Sequence, residues 1–104
     1  MEGHREAMET DEKRILVVED ETVIRDAVSA YLERENYTVR GVGDGQSAVE
    51  EFEKHSFDLV ILDLMLPKLS GERVCRAIRD VSNVPIIMLT AKGEVEDRII
   101  GLEL

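Results

Sequence analysis

Positive charge is scarce in this 104-residue chain: 13 Lys and Arg stand against 23 Asp and Glu, a formal net charge of −10. Nucleic-acid backbones are held by clustered Lys and Arg that displace counterions, so this balance argues against direct nucleic-acid binding by the segment. Cysteine is nearly absent. The single Cys75 cannot close an internal disulfide and falls in a helical pattern, which reads as a small buried core residue in a reducing, cytoplasmic setting. No apolar run spans a membrane, and residues 1–13 are polar and mostly charged, without the apolar core of a signal peptide or anchor. That stretch reads as a flexible tail, with His4 a chance member of it. Internal repeats and low-complexity segments are also missing.

What is present is the composition of one folded domain, 43% hydrophobic and 35% charged, long enough for a single core. Residues 14–104 alternate strand and helix patterns four times. Arg14-Ile15-Leu16-Val17-Val18 is a short β-branched run that stops at Glu19-Asp20-Glu21. Val23, Ile24, Ala27, Val28, Tyr31 and Leu32 then recur at helical spacing, with Arg25, Asp26, Glu33 and Arg34 on the other side and Asn36 marking the end. Thr38 to Val42 is a weaker strand. Gly43-Asp44-Gly45 follows as a strand-to-helix loop, and Ala48, Val49 and Phe52 face inward from a short helix ending near His55, which reads as a capping or dipole-compensating residue.

The clearest strand is Asp58 to Leu62, closing on Asp63; after a loop with Pro67 and Gly71 comes a helix with the stripe Val74, Ile78 and Val81. Pro85 to Leu89 is the fourth strand, ending at Thr90-Ala91, and Val95, Ile99 and Leu102 mark a last helix. Apolar strands alternating with amphipathic helices predict an α/β fold with a parallel sheet covered on both faces. Four units are too few for a closed barrel, so the sheet is open.

In such sheets ligands bind beyond the carboxyl ends of the strands, near the point where strand order reverses. Glu19 and Asp20 follow the first strand, Asp63 the third and Thr90 the fourth. Any one acid at a strand end reads as a solvated surface residue. Three acids and a Thr in this pattern read as a site. If the first and third strands are neighbours, three carboxylates converge and repel, which implies a cation among them. Oxygen donors without His or Cys select Mg²⁺, which also leaves room for a phosphoryl group. Asp63, alone at the end of the most apolar strand, is then the nucleophile that forms an aspartyl phosphate. Glu19, Asp20 and the backbone carbonyl of Met65 hold the metal with it, while the Thr90 hydroxyl and the Ala91 N–H bind phosphoryl oxygens.

The segments Ile15-Leu16-Val17-Val18-Glu19-Asp20-Glu21, Asp58 to Pro67 with Gly71 beyond, and Pro85 to Ala91 resemble the response regulator receiver family over residues 14–104. The resemblance implies a flavodoxin-like open parallel sheet of strand order 2-1-3-4. It also implies phosphorylation of Asp63 by a sensor histidine kinase with Mg²⁺, and a switch in which Thr90 moves toward the phosphoryl group. The stretch Leu89 to Leu104 is most similar to receivers of the OmpR/PhoB type, whose parents regulate transcription through a DNA-binding winged helix. Such a domain is a phosphoacceptor in two-component signal transduction, not an enzyme acting on other molecules.

Receivers continue into a fifth strand with a Lys-Pro pair and a fifth helix, and this sequence stops at Leu104 before both. Neither Lys68 nor Lys92 stands where that lysine belongs. The expected consequences are an open edge at the fourth strand and self-association or completion by a partner segment. Two other readings stand beside the phosphoacceptor: a degenerate receiver serving only protein interaction, and a phosphohydrolase of the haloacid dehalogenase kind. The latter needs a second Asp two residues past the nucleophile, and that position is Met65.

Overall fold

Parallel pairing in a fixed register is what brings the ends of distant segments to one rim. The computed structural model describes residues 12–64, 66 and 68–89. Among them, β1 (Arg14–Val18), β2 (Thr38–Val42), β3 (Leu59–Asp63) and β4 (Ile86–Leu89) alternate with α1 (Thr22–Arg34), α2 (Gly45–Lys54) and α3 (Gly71–Arg79). The expected last helix around Val95 to Leu102 and all of the tail but residues 12 and 13 lie outside the described residues.

The strands form one sheet in the order β2-β1-β3-β4, all parallel, so the predicted 2-1-3-4 order holds. Strand order reverses between β1 and β3, and this sets the crevice where such sheets bind ligands. β3 and β4 each begin one residue later than the sequence pattern suggests. At those positions the chain is spent on anchoring: the Asp58 carboxylate accepts the Arg14 N–H at 2.8 Å. Pro85, which has no N–H to give a ladder, offers its carbonyl to the Val60 N–H at 3.0 Å.

Side chains alternate across the sheet, and the two faces differ. On one, Leu16, Val18, Val60, Leu62, Ile86 and Met88 join Ala48 of α2 and Val74, Cys75 and Ile78 of α3 in a continuous buried core. Cys75 is a free, buried thiol, pushed above its usual value first by burial; it behaves as a small hydrophobe. On the other face Ile15 and Val17 are buried, while Leu59, Ile61 and Ile87 are only half-buried. α1 lies on this side and buries no residue completely. Its predicted apolar stripe is largely open, with Val23 80% and Tyr31 57% exposed. Val81, placed in the α3 stripe by its spacing, lies just past that helix and is exposed as well.

The helices stop and start where their chemistry dictates. Asp44 caps α2, its carboxylate accepting the Ser47 N–H at 2.8 Å and the Ser47 hydroxyl at 3.1 Å. Ser70 does the same for α3 through the Arg73 N–H, and Glu72 early with Arg76 and Arg79 late match the helix dipole. α1 ends as Asn36 takes a left-handed conformation, φ 74°, a geometry asparagine tolerates better than most residues. His55 caps the far end of α2, its Nε2 3.6 Å from the Glu51 carboxylate.

Candidate functional site

β1 and β3 pair with Val18 opposite Leu62, so the next residue on each strand, Glu19 and Asp63, emerge side by side at the carboxyl rim. α1 does not begin until Thr22, and the turn between holds Asp20 at the same rim. Glu19, Asp20 and Asp63 each present a carboxylate oxygen, and the three oxygens lie within 4.8 Å of one another.

The turn is held from inside. The Glu19 N–H donates to the Val42 carbonyl at 3.0 Å, a last rung of the β1–β2 ladder. Its own carboxylate accepts the Glu21 N–H at 3.0 Å. Asp63 is the only buried charged side chain among the described residues, 7% exposed, whereas Asp20 is open to solvent. Burial pushes the Glu19 carboxyl above its usual value; the Glu21 N–H opposes this, and the nearby Asp63 and Asp20 charges reinforce it. Neighbouring carboxylates of like charge favour the protonated form, which is the signature of acids gathered at one place. A set of hard carboxylate oxygens, with no His or thiolate joining them among the described residues, has the donor chemistry of a Mg²⁺ site.

The rim also depends on a glycine. A Cβ on Gly71 would lie 2.6 Å from the Asp63 carbonyl oxygen and 2.7 Å from the Leu64 Cα. Only a residue without a side chain lets α3 begin pressed against the strand end that carries Asp63. The Gly71 N–H donates to the Leu64 carbonyl at 3.2 Å, closing that loop. Lys68, in the same loop at φ 69°, leans to the α2 cap, its Nζ 3.9 Å from an Asp44 carboxylate oxygen.

The structure therefore brings together Glu19, Asp20 and Asp63 of the residues singled out in the sequence. Met65, Thr90 and Ala91 lie outside the described residues. One residue close to the rim escapes sequence reasoning: Arg25, read there as part of the polar side of its helix, turns its guanidinium inward to the Glu19 carbonyl at 2.8 Å. The glycines at 41 and 43, which make room for it, are the only signal that could have pointed to it.

An open parallel sheet with acids gathered at its switch point defines a class, and comparison with known proteins identifies it. The family described as "Response regulator receiver domain" matches residues 15–104. The transcriptional regulatory protein ResD of Bacillus subtilis is 47% identical over 95 residues, covering 91% of this chain and 40% of that protein. Response regulator TrrA of Thermotoga maritima, solved in complex with Mg(2+)-BeF, superimposes with a TM-score of 0.74 at 40% identity, over 78% of this chain and 71% of that one. The receiver domain of sensor histidine kinase PA1611 of Pseudomonas aeruginosa, solved with a magnesium ion coordinated in the active site cleft, gives 0.72 at 37% identity, over 82% and 75%. The chain belongs to the response regulator receiver family, a signalling domain of two-component systems. It spans about 40% of the length of curated relatives such as ResD.

Proposed function

We propose that the domain, residues 14–104, accepts a phosphoryl group on Asp63 from the phosphohistidine of a sensor histidine kinase. The observation that carries this reading is the approach of three carboxylate oxygens, gathered at the ends of two separate strands, to within 4.8 Å. Asp63 attacks phosphorus in line: an O–P bond forms, the N–P bond to the kinase imidazole breaks, and the imidazole leaves with the bonding electrons. Glu19 and Asp20, with Asp63 and the Met65 carbonyl, are the residues that would hold Mg²⁺. The ion supplies the neutralising charge that lets an anionic phosphoryl group enter a cluster of anions. Burial of Asp63 leaves one strand-end carboxylate aimed into the rim and removes competing water around it. Thr90 and Ala91 would bind the transferred oxygens and relay the change.

Regulation of transcription through a separate output domain of the OmpR/PhoB type, a cytoplasmic setting and the 1–13 tail as a segment outside the fold belong to this proposal. No helix among the described residues is long and apolar enough to cross a membrane.

The test is incubation with Mg²⁺ and acetyl phosphate, followed by intact mass measurement. The expected result is one added phosphoryl mass that survives acid, is lost in base, and is missing in Asp63→Asn and without Mg²⁺. Turnover of the donor with no adduct would point to hydrolysis instead. No reaction would leave a domain that serves protein interaction alone.

A further inference from the structure

Arg25 occupies a position that only a particular set of neighbours permits. Its aliphatic stem runs over β2, where a Cβ on Gly41 would lie 3.2 Å from its Cγ and 3.3 Å from its Cδ. Its head passes Gly43, where a Cβ would lie 3.0 Å from Nη1. That same Nη1 donates to the Glu19 carbonyl at 2.8 Å, a partly buried bond, and Nη2 reaches the Thr22 hydroxyl at 3.5 Å.

The sheet explains why the Glu19 carbonyl needs such a donor. The β1–β2 ladder runs out at this point: the Glu19 N–H takes the Val42 carbonyl, and β2 ends at Val42. In a parallel ladder the Glu19 carbonyl would look to the next rung of β2, but the chain there has turned into the α2 cap. Arg25 supplies the missing rung from one turn inside α1. The backbone of Glu19 is thus fixed at both its N–H and its carbonyl, and this residue with the next carries two of the three clustered carboxylates.

We propose that Arg25 is a positioning residue for the acid cluster: by bonding the Glu19 carbonyl it holds the turn that presents Glu19 and Asp20 toward Asp63, and so sets the affinity for a divalent cation without touching it. The inference rests on the metal-binding reading above. It makes a prediction opposite to simple electrostatics. Taking a cation away from an acid rim should tighten Mg²⁺ binding if Arg25 acts by charge, and weaken it if Arg25 acts by position.

The experiment is calorimetric titration of Mg²⁺ into the whole chain, with a thermal melt of each variant without metal. Arg25→Met keeps the stem and removes the donor; Gly43→Ala leaves Arg25 in place and crowds its Nη1. Arg25→Met is expected to raise the Mg²⁺ dissociation constant by about tenfold, in the range found when partners that orient metal ligands are removed, and Gly43→Ala to raise it by less, because the guanidinium is crowded and not removed. In the double variant Gly43→Ala should add nothing to Arg25→Met, because there is no guanidinium left to displace. Unchanged or tighter binding in folded Arg25→Met overturns the proposal. If that variant does not fold, unchanged affinity in Gly43→Ala overturns it. Absence of Mg²⁺ binding by the unaltered chain sinks the metal reading itself, and the positioning role falls with it.

Discussion

The two faces of the sheet are built from the same strands and from nearly the same residue types, yet they are buried to different depths. Leu62 and Ile61 are neighbours on β3: Leu62 faces α2 and α3 and has no exposed surface, while Ile61 faces the α1 side and is half-buried. α2 and α3 meet over their face and close it. On the opposite face a depression of about 360 Å³ opens between Lys13, Ile15, Leu32, Tyr37, Asp58 and Leu59. Hydrophobic burial is deeper on one side, while on the other Arg25 ties α1 to the end of β1 through the Glu19 carbonyl. The acid rim sits at the end of both.

The largest loss of stability is expected from the β3 pair. Leu62→Ala removes a fully buried side chain and should cost about 2–5 kcal/mol, a large share of the stability of a domain this size. Ile61→Ala removes a similar volume from a half-open position and should cost about half as much. Urea unfolding followed by circular dichroism, suited to a chain without Trp, measures both. Equal losses would show the α1 face to be as tightly packed as the other.

A smaller effect tests how the closed face is held in place at the α2 end. Asp44→Ala deletes the α2 cap and should cost about 1 kcal/mol. Its pH dependence has a definite sign. The Ser47 N–H, foremost among its partners, holds the Asp44 carboxyl below its ordinary 3.8. A carboxyl depressed by folding contributes stability that is present above the unfolded value and fades as pH falls through the lower folded one. The gap between the unaltered chain and Asp44→Ala should therefore be full at neutral pH and close below about pH 4. Melts in a pH series would show it, and a gap that stays constant into acid would mean the carboxylate charge is not what caps the helix.

Much of this arrangement is legible in the residues. Short β-branched runs mark the strands, the first and third of them closing on acids, because a parallel strand buried on both faces has no polar alternation to show. Alternation with helices fixes an open parallel sheet, and a rim with Glu19, Asp20 and Asp63 together follows once β1 and β3 are neighbours. What could not be read is which apolar stripes are covered. Val23, Tyr31 and Val81 have the spacing of core residues and are exposed, since periodicity reports a face and not what packs on it. Arg25 was hidden for a related reason. A charged residue on a helix reads as solvent-facing, and only the register of β2, with Gly41 opposite Val17, shows that a groove was left for its stem.

The smallest effect is expected where residue type is the same on the two faces. Val23 on α1 is 80% exposed and Val74 on α3 is fully buried. Substituting Val23 by Thr swaps a methyl for a hydroxyl at a position already in water, so the stability should stay within about 0.5 kcal/mol. The same change at Val74 buries a hydroxyl among apolar neighbours and should cost at least about 1 kcal/mol. Paired melts of Val23→Thr and Val74→Thr read the difference directly. A loss at Val23 matching that at Val74 would mean that α1 is covered in solution, and the open face would then have to be counted as a second core.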